Sequence, residues 1–330
     1  MEKNTSQTVA HHWTVHHKNN RNKSLALANL LSISENSAYK RLYGITPFTL
    51  EEALKIADYL EMGMNELLYH ESPLFSGDFS GMIINSTSHY LDLVERELNI
   101  ILQHNEKCVW AITNEIPEAY YYFFPELALF KYYSLEKLTW ENEEYEDKKF
   151  ELNVGGNGQV FTRFNSMLIK YLKLPTFEIW NYNILDNLLW QIEYFWKNGN
   201  FKNKSVPLRL CDRLTDLLNH IENMVIHGKR FMPGKNPGEQ DTPFGLFLNE
   251  AMQSHNILLV QTNEKFTAYP VLDNPNFIKT TDIKVTNYIQ ELISALKKQA
   301  LPLSNVTIKY RRAFFNRMTH KVDDLKAKIK

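Results

Sequence analysis

Cysteine is scarce in this chain: Cys108 and Cys211 are the only two among 330 residues. They are far apart and form no CxxC pair, so a disulfide framework or a structural zinc site is not expected. No apolar run approaches the roughly 18–20 residues that a bilayer-spanning helix needs. The first twenty residues are polar, carry His11, His12, His16 and His17, and lack the apolar stretch of a secretion signal. A soluble protein of the reducing cytoplasm, with no membrane partner, is expected. Charge of one sign is also missing: 37 basic residues meet 38 acidic ones, a net charge of −1. That balance gives no global sign of a nucleic-acid or membrane partner. There is no low-complexity tract and no internal repeat, which argues against a solenoid.

What the chain does have is apolar material, 44% hydrophobic and 13% aromatic residues. This is enough for a substantial core and excludes a wholly disordered chain. The length suggests two domains of roughly 150 residues. Composition shifts near residue 72, where Pro73, Ser76, Gly77, Ser80 and Gly81 punctuate the chain, so the expected division is 1–72 and 73–330. Residues 1–72 read as short helices. In the larger part, Leu91, Val94, Leu98 and Ile101 have the spacing of an amphipathic helix over 82–103. Strands are predicted at 107–113, 120–124, 257–261 and 265–271. Further helices are predicted at 126–140, 161–172, 177–196, 207–227, 281–299 and 304–329. The expected class is an all-α N-terminal unit of five helices followed by a larger, mostly helical α+β domain.

The informative stretch is 24–44. Leu27, Ala28, Leu30 and Leu31 belong to one short helix, and the small Ala28 lets a second helix cross closely. Ile33 plugs the turn into the core and Ser34 is a natural N-cap. Ala38 and Leu42, four apart, face inward. Gly44 ends the second helix where a left-handed residue is wanted. Glu35, Asn36, Ser37, Tyr39, Lys40 and Arg41 are thereby left toward solvent. Asn bonds adenine bidentately, Arg bonds guanine, and Ser or Lys reaches phosphates or base edges. Local charge is polarised in the same sense: residues 1–44 carry +4 and residues 45–72 carry −5.

These residues resemble the phage-repressor-like, XRE-type helix-turn-helix proteins of bacteria. The resemblance covers about residues 7–70, with a first helix at 7–19 whose core contacts are Val9 and Trp13. It continues through Thr49 to Leu60, similar to the family's capped fourth helix, and through Met64 to Leu68, similar to its short fifth. The family often has glycine in the interhelical turn, where this chain has Ser32. A non-glycine residue in a left-handed turn costs about 1–2 kcal/mol. The resemblance implies that residues 34–43 enter the major groove of double-stranded DNA, while Lys23, Ser24, Arg21 and Thr46 grip the backbone. It also implies a transcription regulator acting as a homodimer on a two-fold symmetric operator. Residues 124–131, 178–180 and 312–316 resemble the companion domain of a group of bacterial helix-turn-helix regulators, which would dimerise and sense a signal. The alternative is a protein-interaction or antitoxin-like module whose helices bind another protein.

Other features weigh less. His12 and His16 sit at i, i+4, a metal-holding spacing, but without a Cys or carboxylate they read as a polar helix face. Gly155, Gly156 and Gly158 lack a phosphate-loop pattern and read as a hairpin turn. The cluster of Tyr120, Tyr121, Tyr122, Phe123 and Phe124 with Trp110, Tyr132 and Tyr133 reads as core packing more readily than as an effector pocket. Asn249, Glu250 and His255 invite a catalytic reading that nothing else supports, and no GxSxG, HExxH or kinase-like set occurs. No enzymatic activity, cofactor or metal is therefore expected, and a small-molecule effector is left open. Finally, Phe314, Met318, Val322, Leu325 and Ile329 form a stripe suited to pairing with another helix or subunit. Residues 297–330 around it carry +8, available for phosphates or for the acidic segment 141–147.

Overall fold

The fold is known from a computed structural model that describes residues 5–17, 22–68, 77–80, 84–152, 158–251, 256–263 and 265–330. Helix α1 spans Thr5–His16, so it starts and ends slightly before the 7–19 predicted from sequence. Helix α2 spans Lys23–Leu31, and the Asn22 side chain caps it by accepting the Leu25 N–H at 3.2 Å. Helices α3 (Glu35–Leu42), α4 (Leu50–Leu60) and α5 (Met64–Leu68) follow. Val9, Trp13, Leu27, Ala28, Ala38, Ile56 and Leu67 share one core. Ala28 and Ala38, small enough to let the helices pack closely, are both buried in the core where α2 meets α3. Ser6 ties the loop before α4 to α1, its Oγ accepting the Phe48 N–H at 3.1 Å. The chain divides at Gly77 into this unit and a second, Asp78–Lys330.

The second unit is built on a sheet of eight strands among the described residues. In chain order these are β1 (Asp78–Phe79), β2 (Lys107–Ile112), β3 (Thr176–Trp180), β4 (Phe244–Leu248), β5 (Ile257–Thr262), β6 (Lys265–Asp273), β7 (Asn276–Lys279) and β8 (Leu301–Leu303). They lie in the order β1-β7-β6-β5-β2-β3-β4-β8. The pairs β2–β3 and β3–β4 are parallel, and every other pair is antiparallel. Parallel neighbours need long crossovers. The first is supplied by α7 (Pro125–Leu138) and α8 (Gly158–Tyr171), the second by α9 (Asp186–Lys197) and α10 (Val206–His227). With α6 (Thr87–Leu102) and α12 (Ile308–Ile329) they build the large core on one sheet face. Helix α11 (Ile283–Gln299) covers the other face, over Ile112, Ile179, Leu259 and Ala268. Alternation along β2 and β3 divides the faces: Trp110 and Phe177 stack at 4.9 Å on the α11 side. Gly245 in β4 is required there, because an added Cβ would stand 2.6 Å from the Phe177 ring.

Several expectations from the sequence change. Residues 120–124 are not a strand: Glu118–Phe123 is a 3₁₀ helix, between Pro117 and Pro125, with its aromatic side chains buried. Residues 177–196 are not one helix but β3 followed by α9, because a strand flanked by parallel neighbours is apolar on both faces. Gly158 opens α8, while the hairpin expected at 155–157 lies outside the described residues. Strands β1, β4, β7 and β8 were not foreseen.

The α12 stripe does not wait for a partner subunit. Phe314, Met318, Val322, Leu325 and Ile329 are buried, packed where α12 lies on α10 and α9. Four cations of that helix meet carboxylates of those same neighbours: Arg311 with Glu222, Lys321 with Asp186, Lys326 with Asp212 and Lys328 with Glu193. Half of the +8 is thus answered inside its own unit, and these four cations do not use 141–147. Among the described residues no helix is long and apolar enough to cross a membrane.

Candidate nucleic-acid interface

The α2–α3 turn is where the local sequence is most specific. Ser32 takes the left-handed conformation, φ 55 and ψ 44, and its N–H donates to the Ala28 carbonyl. The Ile33 N–H reaches the same oxygen at 3.0 Å, closing the end of α2. A serine therefore occupies the left-handed position that glycine fills most cheaply. Ser34 then turns the chain into α3, its Oγ accepting the Ser37 N–H at 3.2 Å. The two hydroxyls of Ser34 and Ser37 also lie 2.8 Å apart, so each is already engaged at the helix start. Gly44 ends the segment at φ +72.

With Ala38 fully buried, α3 presents its opposite face to solvent. Glu35, Asn36, Tyr39 and Lys40 are exposed and Ser37 is half-buried. Among the described residues, no side-chain hydrogen bond or ion pair engages Asn36 or Lys40. The Tyr39 and Tyr43 rings are in tilted contact with centroids 4.2 Å apart, and both are exposed. Lys23 and Ser24, in the first turn of α2, are half-buried, as is Thr46, whose N–H donates to the Lys40 carbonyl at 3.2 Å. Arg21 lies outside the described residues.

Arg41 is placed differently from its exposed neighbours. Its Nε donates to Glu52 Oε2 at 2.8 Å, its Nη2 lies 2.8 Å from Glu52 Oε1, and its Nη1 donates to the Ser37 carbonyl at 3.3 Å. Glu52 in turn accepts the Thr49 N–H at 3.0 Å, completing a capping box with the Thr49 hydroxyl at the start of α4. The guanidinium therefore clamps α3 to α4. Burial alone would raise the Glu52 carboxyl, but the Arg41 hydrogen bond and charge, with the Thr49 bonds, hold it below the usual 4.5. A depressed folded-state value gives stability that is complete above the unfolded value and lost as pH falls. Arg41→Ala is expected to cost the folded chain about 1–2 kcal/mol near neutrality. In a double-mutant cycle with Glu52→Ala, followed by denaturant titration, the coupling should fade below about pH 4. A coupling unchanged between pH 7 and pH 3 would contradict the clamp.

Among the described residues no group of three or more His, Cys, Asp or Glu is placed to hold a metal. His17 is buried instead, stacked on Trp13 at 4.0 Å. In the second unit, Asn249 donates to the Leu296 carbonyl and Glu250 accepts the Tyr182 hydroxyl, while His255 lies outside the described residues.

A buried-alanine crossing, a capped second helix and an exposed polar face on that helix define a domain of the helix-turn-helix type. Residues 2–83 match the BetR domain family, a family of helix-turn-helix-type regulator domains. No curated protein and no solved structure matches the chain.

Proposed function

We propose that the protein is a sequence-specific DNA-binding transcription regulator, with α3 reading the major groove through Asn36, Tyr39 and Lys40. The observation that carries this reading is the exposed face of Asn36, Tyr39 and Lys40, with Asn36 and Lys40 free of side-chain partners among the described residues, on a helix fixed at both ends by Ser34 and Gly44. Arg41 supports the interface by holding α3 rather than by contacting guanine. Lys23, Ser24 and Thr46 border the same face and supply backbone contacts. One such helix reads few bases, so the reading includes a homodimer on a two-fold symmetric operator. Its pairing surface is not the α12 stripe, which is buried.

Selection of genomic fragments by the purified chain tests this directly. On a selected operator, Asn36→Ala is expected to weaken binding by about 1–3 kcal/mol while leaving the unfolding midpoint in place. Undiminished operator affinity in that variant would remove α3 from base reading. A second reading, a module that binds another protein, draws on the exposed apolar side chains of Tyr43, Ile45 and Leu50. Equal affinity for random and selected DNA, with a salt slope near zero, would select it.

A further inference from the structure

The second unit holds a partly open pocket of about 150 Å³ between the sheet and the 3₁₀ segment that follows β2. By volume it has room for about five water molecules. Val109, Ala111 and Thr113 of β2 and its extension form its floor with Thr176 and Glu178 of β3. Arg230, two residues beyond the left-handed Gly228 that ends α10, closes one side. A larger groove of about 690 Å³, also open to solvent, lies elsewhere in the unit and adjoins residues 153–157, outside the described residues.

The hydrogen-bond accounting around this cavity is one-sided. Its carboxylates are supplied with donors. Glu178 accepts the Tyr120 hydroxyl at 2.6 Å on one oxygen and the Trp180 indole N–H at 2.7 Å on the other. Glu115 is paired with Lys131 and also accepts from Asn187 and Asn274. Glu118 accepts the Tyr122 and Tyr132 hydroxyls. The cation is not matched in the same way. Arg230 is only 3% exposed; its Nη1 donates to Thr176 Oγ1 at 2.8 Å and to the Leu174 carbonyl at 3.5 Å, its guanidinium lies 5.4 Å from the Tyr120 ring centroid, and its buried Nε has no hydrogen-bond partner. Among the described residues no carboxylate forms an ion pair with it. A guanidinium cannot shed its proton to escape that cost. What the buried Arg230 Nε lacks is an acceptor.

We propose that this cavity binds a small monocarboxylate, whose charge pairs with Arg230 and whose body lies against Ala111 and Val271. Burial raises the Glu178 carboxyl and pushes Glu118 up to about 7, which lowers the repulsion an entering anion meets, while the charge of Glu115, held below its usual value, is already paired with Lys131. The site belongs wholly to the second unit, so this inference is independent of DNA binding.

The test is thermal unfolding of the full chain with millimolar acetate, propionate, pyruvate or benzoate, each against sodium chloride of equal ionic strength. At least one carboxylate should raise the midpoint by about 3 °C or more. The rise should disappear in Arg230→Gln. Should that variant not fold, Val271→Phe, which fills the cavity and leaves the cation in place, must abolish it. No rise with any carboxylate, a rise with choline chloride alone, or a rise retained in the folded variants would overturn the proposal.

Discussion

Replacing Lys131 by methionine is expected to destabilise the second unit by about 3–5 kcal/mol, because it strands a buried carboxylate. The side chains of Lys131 and Glu115 are 3% and 8% exposed. Burial tends to raise the Glu115 carboxyl, and the charge and hydrogen bond of Lys131, aided by Asn187 and Asn274, more than reverse this. Without the lysine the balance inverts, and the folded chain must bury an unpaired charge or take up a proton. Two measurements distinguish this from simple loss of packing. Adding Glu115→Gln to the methionine variant should restore most of the stability. The gap between wild type and single variant should also narrow as pH falls, because protonating Glu115 removes both the stranded charge and the native pair. A gap independent of pH between 7 and 4.5, read from urea midpoints, would contradict the assignment.

The second large effect is expected in the smaller unit. Trp13→Ala should cost about 3–5 kcal/mol, as the truncation of a fully buried aromatic side chain usually does. Trp13 is 0% exposed, stacks on His17, lies 5.3 Å from the Tyr59 ring, and donates its indole N–H to the Lys23 carbonyl at 3.1 Å. The last bond joins α1 to the first turn of α2, next to Ser24. The change therefore removes a packing centre and leaves a carbonyl without its donor at once. A domain of this size has little stability to spare. Selected-operator binding should collapse together with helical signal, whereas Asn36→Ala should lose affinity alone. Full helical content in Trp13→Ala at 37 °C would show that α1 is not needed to hold the unit together.

The helical unit was legible in the sequence because its determinants are local. Val9, Trp13, Ala28 and Ala38 announce themselves by spacing and size. Ser34 and Thr49 announce themselves as caps, and Ser32 by standing where a left-handed residue is needed. The Arg41–Glu52 clamp was not legible, since it joins two helices and helix-face reasoning treats each helix alone. In the second unit the aromatic composition of 120–123 suggested a strand. What decides its conformation is nonlocal: Tyr120 must reach Glu178 and Tyr122 must reach Tyr132. The run 177–196 misled for the opposite reason, because a strand buried on both faces has no alternation to betray it. For α12, periodicity revealed a buried face but not that α9 and α10 cover it. Arg230 gave no signal at all, since a lone arginine after a helix looks like surface until the sheet encloses it.

The order of the strands bears on how the protein is made. The core residues shared by α1 through α5 are all present once Leu68 has been synthesised. In the sheet, by contrast, Asp78 waits for Lys279, Lys107 for Thr262 and Leu246 for Leu303. Contacts so distant in sequence raise contact order and slow folding, whereas short helical units close quickly. The helix-turn-helix unit is therefore expected to be native while β2 still lacks β5 and its two edges stand open. Nascent chains would pass through a stage with a finished helical unit and an unfinished, association-prone sheet, and chaperone demand should fall on the second unit alone.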